Sequence, residues 1–154
     1  MNVVGIGEAG CKISHYLSKY DLYKTFQIDT KNKRYKNFCK VKKAPDHEAY
    51  ERNYSSFDLQ LNTGPITIIL SGAGAISGLV LRLLQELEGR DVKILYIKPR
   101  ESEISSLQMT RHKIVNQVLQ QYCRSGKLSE FTILDNSRIE EVIPNLSLTD
   151  YWGP

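Results

Sequence analysis

The first glycine-rich segment, GIGEAG at residues 5–10, joins a short apolar run to a helical pattern. A turn between a strand and a helix points backbone N–H groups and the positive end of the helix at an anion. Glycine suits such a turn because a Cβ would keep phosphate oxygens away from the backbone. The segment therefore predicts a phosphate-binding turn.

A second segment of small residues, GAGAISG at residues 72–78, lies between the apolar run ITIIL at residues 66–70 and an amphipathic pattern. Two such turns at one edge of a sheet would hold a diphosphate or triphosphate from two sides. The structural alternative is that the small residues only allow a helix to pack closely on a strand.

Two other interpretations of the first segment follow from its spacing. Its letters also fit GxGxxG, and Asp29 ends the next predicted strand, where a Rossmann fold places the acid that binds a ribose hydroxyl. A dinucleotide-binding module therefore stays open, although it gives no role to residues 72–78. A P-loop is excluded because Lys12 lies one position too far from Gly10 for GK[ST].

Strand-like and helix-like segments alternate along the whole chain. The predicted strands are residues 2–6, 24–29, 38–41 (at a sheet edge), 66–70, 92–97 and 131–134, and the predicted helices begin near Ala9, Asp46, Ile76, Ser105 and Arg138. Crossover helices between strands predict an α/β fold with a doubly wound, mostly parallel sheet and helices on both faces. We expect one domain over residues 1–154, with residues 144–154 as a tail or linker.

The apolar spacing also predicts which helix faces are buried. The apolar residues Ile13, Leu17 and Tyr20 fall at helical spacing in the first helix. In the helix that follows Ser105, the residues expected to face inward are Leu107, Ile114, Val118 and Tyr122. Ser105 and Gln108 fit a capping box, and Gly126 is expected to end that helix.

Composition excludes several classes of protein. The content is 41% hydrophobic and 25% charged, no apolar run approaches the ~20 residues of a transmembrane helix, and no secretory signal is visible. The three cysteines are far apart and predict reduced thiols in cytoplasm, with no metal site. No catalytic residue is predicted, since no Ser-His-Asp or Cys-His arrangement is convincing and Cys11 and His15 are neighbours on a helix.

A basic stripe extends from Lys31 to Lys43, with seven cations and no acid. It predicts phosphates, an acidic partner surface or nucleic acid as a ligand. The alternative is a solvated edge strand that its lysines protect from aggregation.

The motifs together resemble the N-terminal GTP-binding domain of the tubulin/FtsZ superfamily. VVGIGEAGCKI at residues 3–13 is similar to the tubulin first loop, with Glu8 in place of the usual glutamine, and GAGAISG falls without a gap on the signature GGGTGSG. FQID, YIKP and ILDNSRI, at residues 26–29, 96–99 and 133–139, resemble FtsZ segments in the same order.

The resemblance implies a ligand and a set of contacts. GTP or GDP is the implied ligand, with Mg²⁺ held through its phosphates. The implied contacts are Gly7, Glu8, Ala9, Gly10 and Cys11 to the α- and β-phosphates; Gly72, Ala73, Gly74, Ala75, Ile76 and Ser77 to the β- and γ-phosphates; Asp29 beside the phosphates or Mg²⁺; and Asn136 to guanine. It also implies head-to-tail self-association into cytoskeletal filaments in cytoplasm, with no membrane partner.

Departures from the family pattern limit these expectations. Ala73, Ala75 and Ile76 replace a glycine, the threonine and a glycine of the second signature. Family members also continue beyond the region that matches this chain into a catalytic acidic loop, so we expect no competent GTPase from these 154 residues alone. The alternative in a different class is a degenerate tubulin-like assembly protein that no longer uses nucleotide.

Overall fold

The computed structural model describes residues 1–30, 35–41, 61–71, 75–98 and 104–135. In chain order the elements are β1 (Asn2–Ile6), α1 (Gly7–Leu17), β2 (Lys24–Asp29), β3 (Phe38–Lys40), β4 (Ile66–Ser71), a 3₁₀ turn (Ala75–Gly78), α2 (Leu79–Glu86), β5 (Val92–Lys98), α3 (Ser106–Arg124) and β6 (Glu130–Asp135). The helices predicted near Asp46 and Arg138, and residues 144–154, lie outside the described ranges.

The described strands form one parallel sheet in the order β3-β2-β1-β4-β5-β6. This order places a topological switch point between β1 and β4, because successive strands extend the sheet outward from β1 on one side and from β4 on the other. The α/β fold with a parallel sheet is confirmed. The predicted edge position of the third strand is also confirmed, since β3 pairs only with β2 among the described strands.

Apolar residues cover both faces of the sheet, as its near-continuous hydrophobic strands predict. Val4, Ile68 and Ile94 belong to a large cluster that includes residues of α2 and α3. Val3 and Ile69 belong to a smaller cluster with Ala9 and Ile13 of α1. Alternation along each strand therefore divides the core between helices on opposite faces, which is the doubly wound arrangement.

Helix α1 begins at Gly7, two residues before the predicted start, and ends at Leu17. Ile13 is buried, whereas Tyr20 lies beyond the end of the helix and is 50% exposed, so the helical position that its spacing suggested is wrong. A polar contact also fixes the helix on the sheet, because the buried Gln27 of β2 donates to Ser14 Oγ at 3.0 Å.

The limits of helix α3 were predicted better than its buried face. The capping box of Ser105 and Gln108 is present, and Gly126 follows the helix with φ +82°. The predicted inward position of Leu107 and Ile114 is wrong, since both are exposed. Val118 and Tyr122 are partly buried. The buried residues of the helix are His112, Val115 and Leu119. A contact across elements sets this face, because Tyr96 Oη of β5 lies 2.6 Å from His112 Nδ1.

None of the helices within the described ranges combines the length and the hydropathy needed to span a bilayer.

Candidate functional site

The two glycine-rich segments leave the sheet at the same edge. Strands β1 and β4 are parallel neighbours, with Gly5 opposite Ile69. The turn that follows Ile6 and the segment that follows Ser71 therefore start side by side at the carboxyl ends of these strands. This edge is also the switch point of the sheet, where open α/β folds bind their ligands.

The first turn passes directly from strand to helix. Gly7 is both the first residue of α1 and a residue with φ +76°, a conformation that favours glycine. Ile6 occupies the N-cap position and makes no side-chain capping bond. Because the first four N–H groups of a helix have no partner within it, the amides of this turn form a positive end suited to an anion.

Gly5 and Gly10 allow α1 to approach the sheet closely. A Cβ on Gly10 would lie 2.3 Å from the carbonyl oxygen of Ile69, and a Cβ on Gly5 would lie 2.2 Å from the carbonyl oxygen of Gly10. Gly5 and Gly10 therefore allow close helix–strand packing, a role that the sequence had suggested only for residues 72–78. Any contact of Gly10 with a phosphate would have to come from its backbone amide.

The side chains of two other predicted residues face the interior. Ala9 packs in the cluster between α1 and the sheet. Cys11 is fully buried, and its thiol lies 3.4 Å from the carbonyl oxygen of Ile28 and 3.6 Å from that of Gly5. In both residues only the backbone is available to a ligand at this edge.

Two carboxylates lie near the first turn. Glu8 is in the first turn of α1, and its carboxylate is 3.6 Å from Lys12 Nζ. Asp29 ends β2 as predicted, is 7% exposed, and accepts a hydrogen bond of 2.7 Å from the Thr30 amide. Since Ile28 pairs with Ile6, Asp29 lies one residue beyond that pair, beside the start of α1.

Tyr35 is a neighbour of this site that the sequence did not reveal. Burial raises the pKa of its phenol, and electrostatic interactions with Cys11, Asp29 and Glu8 raise it further. Its ring lies 4.9 Å from that of His15, between ring centroids. Tyr35 falls within the basic stripe, where the many cations gave no reason to single out one aromatic residue.

The second turn differs from the prediction in its local structure. Residues Ala75–Gly78 form a 3₁₀ turn, and the α-helix begins only at Leu79. Ile76 packs against the large core cluster, and its Cγ2 lies 3.2 Å from the position of a Cβ on Gly7. The Ile76 side chain of the second turn therefore lies beside Gly7 of the first turn.

Several predicted residues are not placed in detail. Gly72, Ala73, Gly74 and Asn136 lie outside the described residues, and Ala75 and Ser77 are described by their backbone only. Asn136 directly follows β6, which ends at Asp135.

Within the described ranges, no group of three or more His, Cys, Asp or Glu side chains is placed to hold a metal ion. Asp29 and Glu8 supply the carboxylate oxygens that Mg²⁺ prefers, but Mg²⁺ usually retains waters and binds substrate phosphates as well. A Mg²⁺ ion at this edge would therefore need the phosphates of a ligand.

The opposite, amino-terminal edge of the sheet has two clefts, of about 410 and 610 Å³. The first lies between Arg90 and Lys127 and the second between Met1 and Asn37, and neither is lined by a predicted site residue. At this edge the side-chain amide of Asn2 donates to Asn62 Oδ1 at 2.8 Å and to the carbonyl oxygen of Gly64 at 3.3 Å. These contacts fasten loops to the sheet, and we assign the edge a structural role.

Five of the seven cations of the basic stripe lie outside the described residues. Lys36 and Lys40 are exposed, and Lys40 is on the edge strand β3. Their positions fit the alternative of a protected edge strand, and a partner surface at the stripe stays a prediction.

Comparison with known proteins adds no family assignment. No family model matches the chain, and no curated protein matches it. The resemblance to tubulin and FtsZ therefore depends on the motifs themselves and on their placement in the fold.

Proposed function

We propose that this chain is a tubulin/FtsZ-like guanine-nucleotide-binding domain of a self-assembling, cytoskeletal-type protein. The observation that carries the proposal is the pairing of β1 with β4, which brings two glycine-rich turns together at the switch point of a parallel sheet. Such an edge suits a polyphosphate that is held from two sides.

The first turn would bind the α- and β-phosphates through main-chain amides. Its supporting features are the helix that begins at Gly7, the positive φ of that residue, and an N-cap without a polar side chain. Asp29, at the end of β2, would face the phosphates or their Mg²⁺. Asn136, one residue beyond β6, would select guanine by its amide, as the family resemblance implies.

Assembly would proceed head to tail, with nucleotide between subunits, and hydrolysis would require an acidic loop that the matching region lacks. We also propose a cytoplasmic location. In its favour are the thiols of Cys11, Cys39 and Cys123, none of which forms a disulfide, as suits a reducing compartment.

Two observations favour other functions. The β-branched side chain of Ile76 lies beside Gly7 of the first turn. This favours a degenerate assembly protein that no longer uses nucleotide, because such a protein does not need space for a phosphate there. The strand order and the position of Asp29 also suit a dinucleotide-binding module.

Nucleotide binding can be measured directly. The protein, purified without added ligand, is denatured, and the released nucleotides are identified by chromatography; the stripped protein is then titrated by calorimetry with GDP, GTP and NAD. We expect binding of GDP and GTP and no binding of NAD. Binding of NAD alone would instead support the dinucleotide module.

Assembly of the stripped protein separates the remaining alternatives. We expect sedimentation of assembled protein to depend on added GTP. Assembly that is equally complete without nucleotide, together with no heat of GDP or GTP binding, would contradict the proposal and select the nucleotide-independent protein.

A further inference from the structure

Ser71, the last residue of β4, has a buried hydroxyl without a hydrogen-bond partner among the described residues. Its Oγ exposes less than 1 Å² to solvent. By contrast, the buried Ser14 hydroxyl donates to the Cys11 carbonyl at 3.1 Å and accepts from Gln27. Since a buried hydroxyl without a partner destabilises the folded state, the orphaned oxygen of Ser71 requires an explanation.

The position of Ser71 connects it with the candidate site. Side chains alternate along a strand, so Ser71 faces the same side of the sheet as Ile69, which packs under α1. Ser71 also pairs with Ile97, another member of the cluster on that face. The hydroxyl thus lies on the face of the sheet that α1 covers, at the edge where that helix begins.

The close approach of Gly10 to the Ile69 carbonyl fixes the position of α1 along β4. Gly10 is one helical turn after Gly7, and Ser71 is two residues after Ile69 toward the same edge. Ser71 and the first amides of α1 therefore both lie toward the carboxyl edge of the sheet, on elements that pack against each other. An anion bound by those amides would lie next to a hydroxyl that still has a proton to donate.

We propose that the Ser71 hydroxyl donates a hydrogen bond to a phosphate oxygen of the bound nucleotide. The inference rests on the function proposed above and adds a side-chain donor on the face of the sheet that α1 covers. It also gives a reason for the orphaned hydroxyl, since a group that destabilises the free protein becomes a charge-assisted donor in the complex.

The test compares Ser71→Ala with the wild type and with Ser14→Ala, which also removes a buried serine hydroxyl. GDP is titrated by calorimetry in buffer with EDTA, so that Mg²⁺ cannot mediate the contact, and Tm is measured on stripped protein. We expect Ser71→Ala to weaken GDP binding by about tenfold or more and to raise Tm by about 3 °C. Ser14→Ala should lower Tm and leave the affinity unchanged.

A further variant, Ser71→Thr, keeps the hydroxyl and is expected to keep most of the affinity. The inference is overturned if Ser71→Ala binds GDP within about twofold of the wild type, a change below the range of a charged hydrogen bond. It is equally overturned if Ser71→Thr or Ser14→Ala loses as much affinity as Ser71→Ala. If the wild type itself binds no nucleotide, the proposed function fails, and this inference fails with it.

Discussion

The two turns at the carboxyl edge occupy equivalent places in the fold but are built differently. The turn after β1 enters an α-helix at once, through a glycine with positive φ. The turn after β4 passes through a 3₁₀ segment before its helix begins at Leu79, and Ile76 packs into the core from that segment. The first turn thus presents amides, whereas the second contributes in part to packing.

This difference shows that small residues in a turn do not serve one purpose. In the first turn Gly7 supplies a backbone conformation, whereas Gly10 gives space to the carbonyl of Ile69. In the second turn an isoleucine stands where the tubulin/FtsZ signature has a glycine, and its Cγ2 methyl lies 3.2 Å from the position of a Cβ on Gly7. A ligand would therefore depend more on the first turn than the resemblance alone implies.

The largest effect is expected at Gly10, where a Cβ would meet backbone that cannot rotate away. Gly10→Ala should lower the free energy of unfolding by about 3 kcal/mol or more, because α1 must move off the sheet. Urea denaturation followed by circular dichroism measures this loss. Gly126→Ala is the control, since Gly126 has φ +82° with nothing within 4 Å of its Cβ position, and should cost only about 1 kcal/mol. Equal losses would contradict the packing role of Gly10.

An intermediate effect is expected in the second turn. Ile76→Ala should lower the free energy of unfolding by about 1–2 kcal/mol, because the side chain is only partly buried. It should also raise the affinity for GDP several-fold, since it removes the methyl group beside Gly7. Leu84→Ala is the control: Leu84 is another partly buried residue on the same cluster, so a similar loss of stability is expected without a change in affinity. An unchanged affinity in Ile76→Ala would show that the isoleucine does not hinder the ligand.

The smallest effect is expected from Glu8, whose carboxylate would repel a phosphate bound at the start of α1. Glu8→Gln should lower the free energy of unfolding by about 0.5 kcal/mol, as the helix loses a favourable acid. It should raise the affinity for GDP about threefold at low salt, and the gain should shrink as salt is added. Glu86→Gln removes a comparable acid from an ion pair with Arg82, on α2, and should leave the affinity unchanged. A gain of the same size in both variants would point to net charge rather than to the site.

Much of the fold could be predicted because its strands carry a strong local signal. Apolar runs such as ITIIL form buried parallel strands, and their limits were close to those observed at β1, β2 and β4. The buried face of α3 could not be predicted in the same way. It depends on a contact with another element, in which Tyr96 Oη of β5 lies near His112 Nδ1 of α3. The spacing of leucine and isoleucine along one helix does not contain that information.

The candidate site shows the same division. Glycine spacing directly after strands predicted two turns at one edge, and the pairing of β1 with β4 places the starts of both turns there. Tyr35 and the orphaned hydroxyl of Ser71 could not be predicted, because each becomes notable only through neighbours distant in sequence.

The sequence alone determined where strands end and where glycines permit sharp turns, since both follow from local periodicity and from the absence of a Cβ. Only the tertiary structure decided what each residue at those turns does. Gly10 faces the carbonyl oxygen of Ile69, and the Cys11 thiol lies beside that of Ile28. The Ile76 side chain lies beside Gly7. The physical reason is that these contacts join chain segments tens of residues apart, and their distances are set by how α1 and β4 pack against β1.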